Sequence, residues 1–166
     1  MKTAVLSILA YNTSGVLNRV SGLFSRRGFN IESITAGVTA DPRFSRITIV
    51  TEGDELVVEQ IVKQVAKMED VVDVKALQPD ESVERELILM KIRATDQERA
   101  SIVSTANIFR AKIVDVSRDS IVIELTGSQS KLGAFLELME QYNIIELGRT
   151  GVTALSRGTD NVKYLE

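Results

Sequence analysis

The spacing of hydrophobic residues changes several times along the chain, and each change predicts a new secondary-structure element. Residues 2–10 are apolar and predict a buried strand. In the next segment apolar residues recur every three to four positions, which predicts an amphipathic helix that starts near Thr13 and ends near Gly28. Two strands, a second helix and a closing strand follow, at residues 31–38, 45–51, 53–68 and 71–77.

The second half of the chain repeats this order after a polar segment, residues 78–82, which contains Pro79 and has no hydrophobic period. Its predicted elements occupy residues 85–94, 96–109, 112–116, 120–126, 128–139 and 143–156. The sequence therefore predicts an α+β protein with two tandem ferredoxin-like βαββαβ domains, each an antiparallel sheet with both helices on one face. We expect these domains at residues 1–78 and 85–158, with a linker at 79–84 and a tail at 159–166.

A ferredoxin-like domain of this size leaves one face of its sheet uncovered and is marginally stable alone. We therefore expect the chain to dimerise or to dock on a partner. Residues 31–38 form a small-residue strand with little charge to block strand pairing. This strand is the predicted edge through which a homodimer forms.

The composition excludes many kinds of enzyme site. Histidine and cysteine do not occur in the 166 residues, which excludes Ser-His-Asp triads, thiol nucleophiles, disulfides and the usual zinc sites. The phosphate-binding patterns GxxxxGKS/T and GxGxxG are also missing. We therefore expect no catalytic residues, no metal ligands and no cofactor bound by this chain.

The charge pattern indicates a protein that binds neither nucleic acid nor membrane. The net charge is −3, and the arginines of the first half have no aromatic residues interleaved with them, so a solvated face or a partner contact is favoured over nucleic acid. These arginines are Arg19, Arg26, Arg27, Arg43 and Arg46. No segment approaches the roughly 20 apolar residues of a membrane span, and the apolar N-terminus is too short for a signal peptide. We expect a cytoplasmic location.

The segment from Asn12 to Leu17 leads from the first predicted strand directly into a helix. Helix N-termini present unpaired N–H groups that bind carboxylates, and Gly15 lets a ligand approach the backbone closely. Asn12 offers donor and acceptor atoms that suit an ammonium group. The same residues also fit an ordinary helix start that is capped by Ser14 or Thr13. The spacing alone leaves both interpretations open.

Asn30 is a second candidate, because it follows the turn at Gly28 and begins a strand at Ile31. Asparagine at such a position commonly serves the turn itself. The pattern therefore leaves a binding role and a turn role open.

Longer strings of the sequence resemble a known family. The string GVLNRV at residues 15–20, after a loop that contains Asn12, resembles the ACT domain. The string SGLFSRRGFNIESIT at residues 21–35, with SRITIV at 45–50, is similar to the acetolactate synthase small subunits. The second half resembles the same family in VEREL, IFRAKIVDV and TGVTALSRG, at residues 83–87, 108–116 and 150–158.

The resemblance implies a regulatory subunit of branched-chain amino-acid biosynthesis, not an enzyme in its own right. The catalytic large subunit is a separate chain that carries thiamine diphosphate, Mg and FAD. The small subunit stimulates it and makes it sensitive to feedback inhibition by valine, leucine or isoleucine. The resemblance places the effector between two protomers, with Asn12, Gly15, Val16 and Leu17 of one protomer facing Asn30 and Ile31 of the other.

Two other classes of protein are consistent with the fold alone. A stand-alone amino-acid-responsive transcription factor would need a helix-turn-helix or a basic face, and neither is visible in the sequence. An enzyme on a ferredoxin-like scaffold would have to work without histidine and without a recognisable cofactor motif.

Overall fold

The computed structural model describes residues 2–159, and its strands and helices follow the order that the hydrophobic spacing predicts. The first elements are β1 (Lys2–Tyr11), α1 (Val16–Arg27), β2 (Ile31–Val38), β3 (Phe44–Gly53), α2 (Glu55–Ala66) and β4 (Val71–Leu77). After a short 3-10 turn come β5 (Ser82–Arg93), α3 (Asp96–Ile108), β6 (Lys112–Val116), β7 (Ser120–Gly127), α4 (Gln129–Met139), β8 (Asn143–Arg149) and β9 (Thr153–Ser156).

Both sheets have the strand order of a ferredoxin-like unit. The first runs β2-β3-β1-β4 and the second runs β6-β7-β5-β8, and neighbouring strands in each are antiparallel. The predicted fold class, α+β with two tandem ferredoxin-like βαββαβ domains, is confirmed.

The helices of each unit cover one face of its own sheet. In the first unit, alternate residues of β1 such as Leu6 and Ile8 form one buried cluster with Phe24 of α1 and Ile61 of α2. In the second unit, alternate residues of β5 form the equivalent cluster with α3 and α4; its members include Ile88, Met90, Ile102 and Phe135. Each such fully buried side chain contributes about 1.5–3 kcal/mol.

Strand β9 packs in the first unit although it comes last in the chain. Val152 and Ala154 form a buried cluster with Val5, Val50 and Leu77. Because Val5 alternates with residues that contact the helices, this cluster lies on the opposite face of the first sheet. The compact units are therefore residues 2–83 with 152–159, and residues 84–151.

This division differs from the predicted domains at one point. The pattern predicts a single closing strand at residues 143–156, whereas Gly151, with a φ of 85°, separates β8 from β9. The family-like segment 85–158 thus includes a strand, β9, that is hydrogen-bonded to β5 and packs with the first unit. Only residue 159 of the predicted tail lies within the described residues.

Candidate functional site

No side chain caps the N-terminus of α1. In α2, α3 and α4 a side chain accepts a hydrogen bond from the N–H group three residues further on; the capping residues are Asp54, Thr95 and Ser128. α1 is instead preceded by Gly15, whose φ of 80° lies in the left-handed region that favours glycine. The interpretation in which Ser14 or Thr13 caps the helix is therefore wrong. The first turn of α1 keeps N–H groups available to a ligand.

The backbone donors at this helix start are not equivalent. Within the described residues the N–H groups of Gly15 and Leu17 have no acceptor, whereas the N–H of Val16 donates to the carbonyl oxygen of Thr13 at 3.3 Å. The Val16 side chain is buried in the core, and the Leu17 side chain is 43% exposed. Val16 therefore anchors the helix, while Gly15 and Leu17 present donors and an apolar surface to the outside.

Arg19, Asp70 and Thr13 form a hydrogen-bonded group that we name the loop clasp. Nε of Arg19 donates to Oδ2 of Asp70 at 2.5 Å, and Nη2 donates to Oδ1 at 3.0 Å. The Thr13 hydroxyl donates to the same Oδ1 at 3.3 Å. Chiefly because of the Arg19 guanidinium, the pKa of the Asp70 carboxyl lies below its ordinary value. The clasp ties the loop before α1 to the turn before β4.

Asn12 lies at the end of β1, and its side chain is engaged within the chain. Its Nδ2 donates to the carbonyl oxygen of Pro42 at 3.1 Å, and its Oδ1 accepts from the Ser45 hydroxyl at 3.1 Å. Its backbone N–H donates to the carbonyl oxygen of Arg43 at 2.7 Å. Asn12 therefore holds the β2–β3 turn against the end of β1. Its Oδ1 keeps a second lone pair for another donor.

Asn30 and Ile31 lie at the other end of the same sheet. Ile31 is paired with Thr51 of β3, whereas the end of β1 next to Asn12 is paired with Phe44 of β3. Seven residues of extended strand, from position 44 to position 51, span about 23 Å. One protomer thus brings Asn12, Gly15, Val16 and Leu17 together but holds Asn30 and Ile31 apart from them.

The end of the sheet at Asn30 and Ile31 has its own polar features. The Asn30 carbonyl oxygen accepts a hydrogen bond from the Thr51 hydroxyl, and its side chain is exposed. Glu32 lies beside Glu52 of β3, and the hydrogen bond between these carboxyls is the main reason that the pKa of Glu32 lies above its ordinary value. The buried Ser33 hydroxyl has no hydrogen-bond partner among the described residues.

Sequence reasoning missed the loop clasp. Arg19 lies one helical turn after Gly15, which places both on one side of α1, and this spacing is a local signal for its role. Asp70 carries no local signal, because it is 51 residues away from Arg19 in the sequence. Only the pairing of β1 with β4 brings the two residues together.

The two parts of the chain match two family models. Residues 6–73 match the AHAS small subunit-like ACT domain, and residues 85–158 match the small subunit of acetolactate synthase. The chain belongs to the acetolactate synthase small-subunit family. The resemblance seen in its sequence strings is therefore confirmed, and the uncapped α1 lies within the ACT domain of this family.

Individual relatives cover nearly the whole chain. It is 53% identical over 153 residues to the probable acetolactate synthase small subunit of Archaeoglobus fulgidus. The matched region covers 92% of this chain and 96% of that protein. It is 47% identical over 155 residues to the acetolactate synthase isozyme 3 small subunit of Escherichia coli, with 93% and 95% covered. The crystal structure of the Thermotoga maritima acetolactate synthase small subunit superposes with a TM-score of 0.89 at 42% identity, covering 96% of this chain and all of that one.

Two further properties concern metals and membranes. Residues 2–159 contain no group of three or more acidic side chains arranged to hold a metal ion. None of the helices in this part of the chain is long and apolar enough to cross a membrane.

Proposed function

We propose that this chain is the regulatory subunit of an acetolactate synthase and that it binds a branched-chain amino acid between two protomers. The observation that carries the proposal is the uncapped start of α1. An α-amino acid presents a carboxylate, and the exposed N–H groups and positive dipole end of α1 suit a carboxylate. The neighbouring Leu17 side chain offers an apolar contact to a branched side chain.

We assign the contacts of the effector as part of this proposal. Its carboxylate accepts from the N–H groups of Gly15 and Leu17, and its ammonium donates to the free lone pair of Asn12 and to oxygens near Asn30. Its aliphatic group packs against Leu17 and Ile31. Burying an isopropyl group there contributes about 1.5–3 kcal/mol. Valine is the effector that we test first, with leucine and isoleucine beside it.

A two-fold dimer through β2 is what unites the two half-sites. β2 is an edge of the first sheet, and its C-terminal residue Val38 is paired with Ser45, whose hydroxyl contacts Asn12. If two copies of β2 pair antiparallel, the first residue of one strand lies beside the last residue of the other. This pairing brings Ile31 of one protomer to the Asn12 end of the other.

The proposal also assigns the cofactors and the catalytic groups to the large subunit. Thiamine diphosphate, Mg and FAD belong to the large subunit, and this chain supplies no catalytic group. Effector binding at the dimer interface favours one packing of the protomers over another. A coupling free energy of about 1–3 kcal/mol between this interface and the large subunit is sufficient for feedback inhibition.

The first experiment titrates valine, leucine and isoleucine into the purified chain by calorimetry, and into a reconstituted complex with a cognate large subunit. We expect no acetolactate synthesis by the chain alone, stimulation of the large subunit, and saturable inhibition by at least one of the three amino acids. A chain that binds none of them, or that leaves the large subunit unaffected, refutes the proposal.

A mixed dimer tests whether each site is shared between protomers. Gly15→Asp and Asn30→Ala each remove both sites of a homodimer. When the two variants are combined, one site contains both changes and the other contains neither. Because random co-refolding makes about half of the dimers mixed, and each mixed dimer has one intact site, we expect the mixture to regain valine binding at about a quarter of all sites. If the mixture binds no more valine than either variant alone, the two half-sites do not combine across the dimer.

A further inference from the structure

The loop clasp has a geometry that affects the direction of a backbone donor. Besides its two bonds to Asp70, Arg19 donates from Nη2 to the carbonyl oxygen of Ser14 at 3.3 Å. The peptide that follows this carbonyl carries the N–H of Gly15. Because a trans peptide is planar, its C=O and N–H groups point in opposite directions. Fixing the Ser14 oxygen toward Arg19 therefore turns the Gly15 N–H away from it.

We propose that Arg19 and Asp70 are positioning residues that orient the Gly15 N–H toward the carboxylate of the effector. This inference rests on the proposed function, because it concerns the same site. Asp70 fixes the guanidinium through Nε and Nη2, and the fixed guanidinium then holds the Ser14 carbonyl. The Thr13 hydroxyl also donates to the Asp70 carboxylate, and the Tyr11 N–H donates to the Asp70 backbone carbonyl oxygen, so the loop is held on both sides.

The clasp acts through geometry and not through net charge. The positive charge of Arg19 is paired directly with the negative charge of Asp70. A lysine at position 19 keeps the charge but has a single ammonium, which does not reproduce the planar fork that reaches both Asp70 and Ser14. The pKa of Asp70 lies below its ordinary value, so the pair remains ionised throughout the neutral range.

The test compares Arg19→Gln, Arg19→Lys and Asp70→Asn with a control that breaks an exposed ion pair elsewhere in the same unit. Lys63→Gln is suitable, because Lys63 pairs with Glu59 on the surface of α2. Calorimetry measures the affinity for valine and for valinamide, whose carboxyl is an uncharged amide. We expect both Arg19 variants to bind valine at least about tenfold more weakly and Asp70→Asn to show a smaller loss. Lys63→Gln should bind as the wild type does.

The ratio of the two affinities separates positioning from general loosening of the fold. A misdirected Gly15 N–H should reduce the preference for valine over valinamide, whereas a destabilised dimer should weaken both ligands equally. Full affinity in Arg19→Lys, or an unchanged preference in all three variants, overturns the inference. If the wild type binds no amino acid, the proposed function itself fails. Asp70→Asn preserves the shape of the side chain, so it keeps the test valid if Arg19→Gln does not fold.

Discussion

The two units of this chain have the same topology, but their first strand–helix junctions differ. At the start of α3, the Thr95 hydroxyl accepts from the N–H of Glu98, and the Glu98 carboxylate accepts from the Thr95 N–H. This capping box pairs the N–H groups of Thr95 and Glu98 with side chains of the helix start itself. At the equivalent start of α1, Gly15 supplies no side chain, and the N–H groups of Gly15 and Leu17 have no acceptor within the described residues.

The two junctions thus differ within one fold: the start of α3 is capped by its own side chains, and the start of α1 is not. Glu98 places a carboxylate where an effector's carboxylate would have to lie in the second unit. In the first unit that position is open, and the loop clasp holds the backbone around it. The topology is common to both units, so the side chains at the junction decide which helix start is capped.

The largest expected effect is that of Gly15→Asp. Its carboxylate would occupy the region next to the first turn of α1 and repel the carboxylate of the effector. A Cβ at this position also comes within 2.9 Å of Nη1 of Arg19, so the new carboxylate competes with Asp70 for the guanidinium. We expect valine inhibition of the reconstituted complex to be lost, with the apparent affinity at least about a hundredfold weaker.

Gly15→Asn is the matched control for this variant. Asparagine has the same shape, no charge, and tolerates a positive φ better than most residues. It should therefore retain more valine sensitivity than Gly15→Asp while it shows the same steric and backbone effects. An unchanged inhibition curve in Gly15→Asp would place the effector elsewhere.

Asn18→Glu gives the α1 junction an acidic residue like that of α3. Position 18 is the third residue of α1, as Glu98 is the third residue of α3, and it lies outside the strained position at Gly15. We expect the affinity for valine to fall about tenfold while the thermal midpoint rises slightly, because the carboxylate interacts favourably with the helix N-terminus. Asn18→Gln is the uncharged control and should leave both quantities near their wild-type values. Equal affinities in the two variants would contradict a carboxylate site at this helix start.

Thr95→Ala tests the contribution of the side-chain cap at the start of α3. Loss of the cap should lower the free energy of unfolding by about 1 kcal/mol, because the N–H of Glu98 loses its side-chain acceptor. Ser14→Ala in the first unit should change it by less than about 0.5 kcal/mol, since Ser14 caps no helix. Urea denaturation measures both. A similar loss in the two variants would mean that the junctions do not differ in the way described.

The smallest expected effect concerns the edge strands. Glu32 on β2 lies beside Glu52 of β3, whereas Lys112 at the corresponding end of β6 is paired with Glu124 of β7. Because the pKa of Glu32 is raised in the folded protein, stability falls as the pH rises through that pKa. Glu32→Gln should therefore raise the thermal midpoint at pH 7 by no more than about 2 °C, and by less at pH 4. A lower midpoint at pH 7 would contradict the repulsion between the two carboxyls.

The order of strands and helices and the fold class could be predicted from the sequence because they depend on local hydrophobic spacing. Alternate apolar residues of β1 and the three-to-four spacing of α1 are visible in any short window of the chain. The C-terminal cap at Gly28 is equally local, since glycine is favoured where the helix ends in the left-handed conformation. The junction from Asn12 to Leu17, which leads from β1 into α1, could be located for the same reason.

The contacts that complete the site are decided by residues far apart in the sequence. Asn12 forms hydrogen bonds with Pro42 and Ser45, and Val152 packs in the core of the first unit. No local pattern in the sequence indicates either contact. The start of α1 is the clearest case, because Thr13 and Ser14 both have side chains that commonly cap helices. In the folded chain Asp70 accepts from the Thr13 hydroxyl, and the helix begins after Gly15 without a cap. The sequence alone determined where a helix begins; only the tertiary structure decided that its first turn has no side-chain cap, because the backbone at Gly15 takes the left-handed conformation and places no side chain at the capping position.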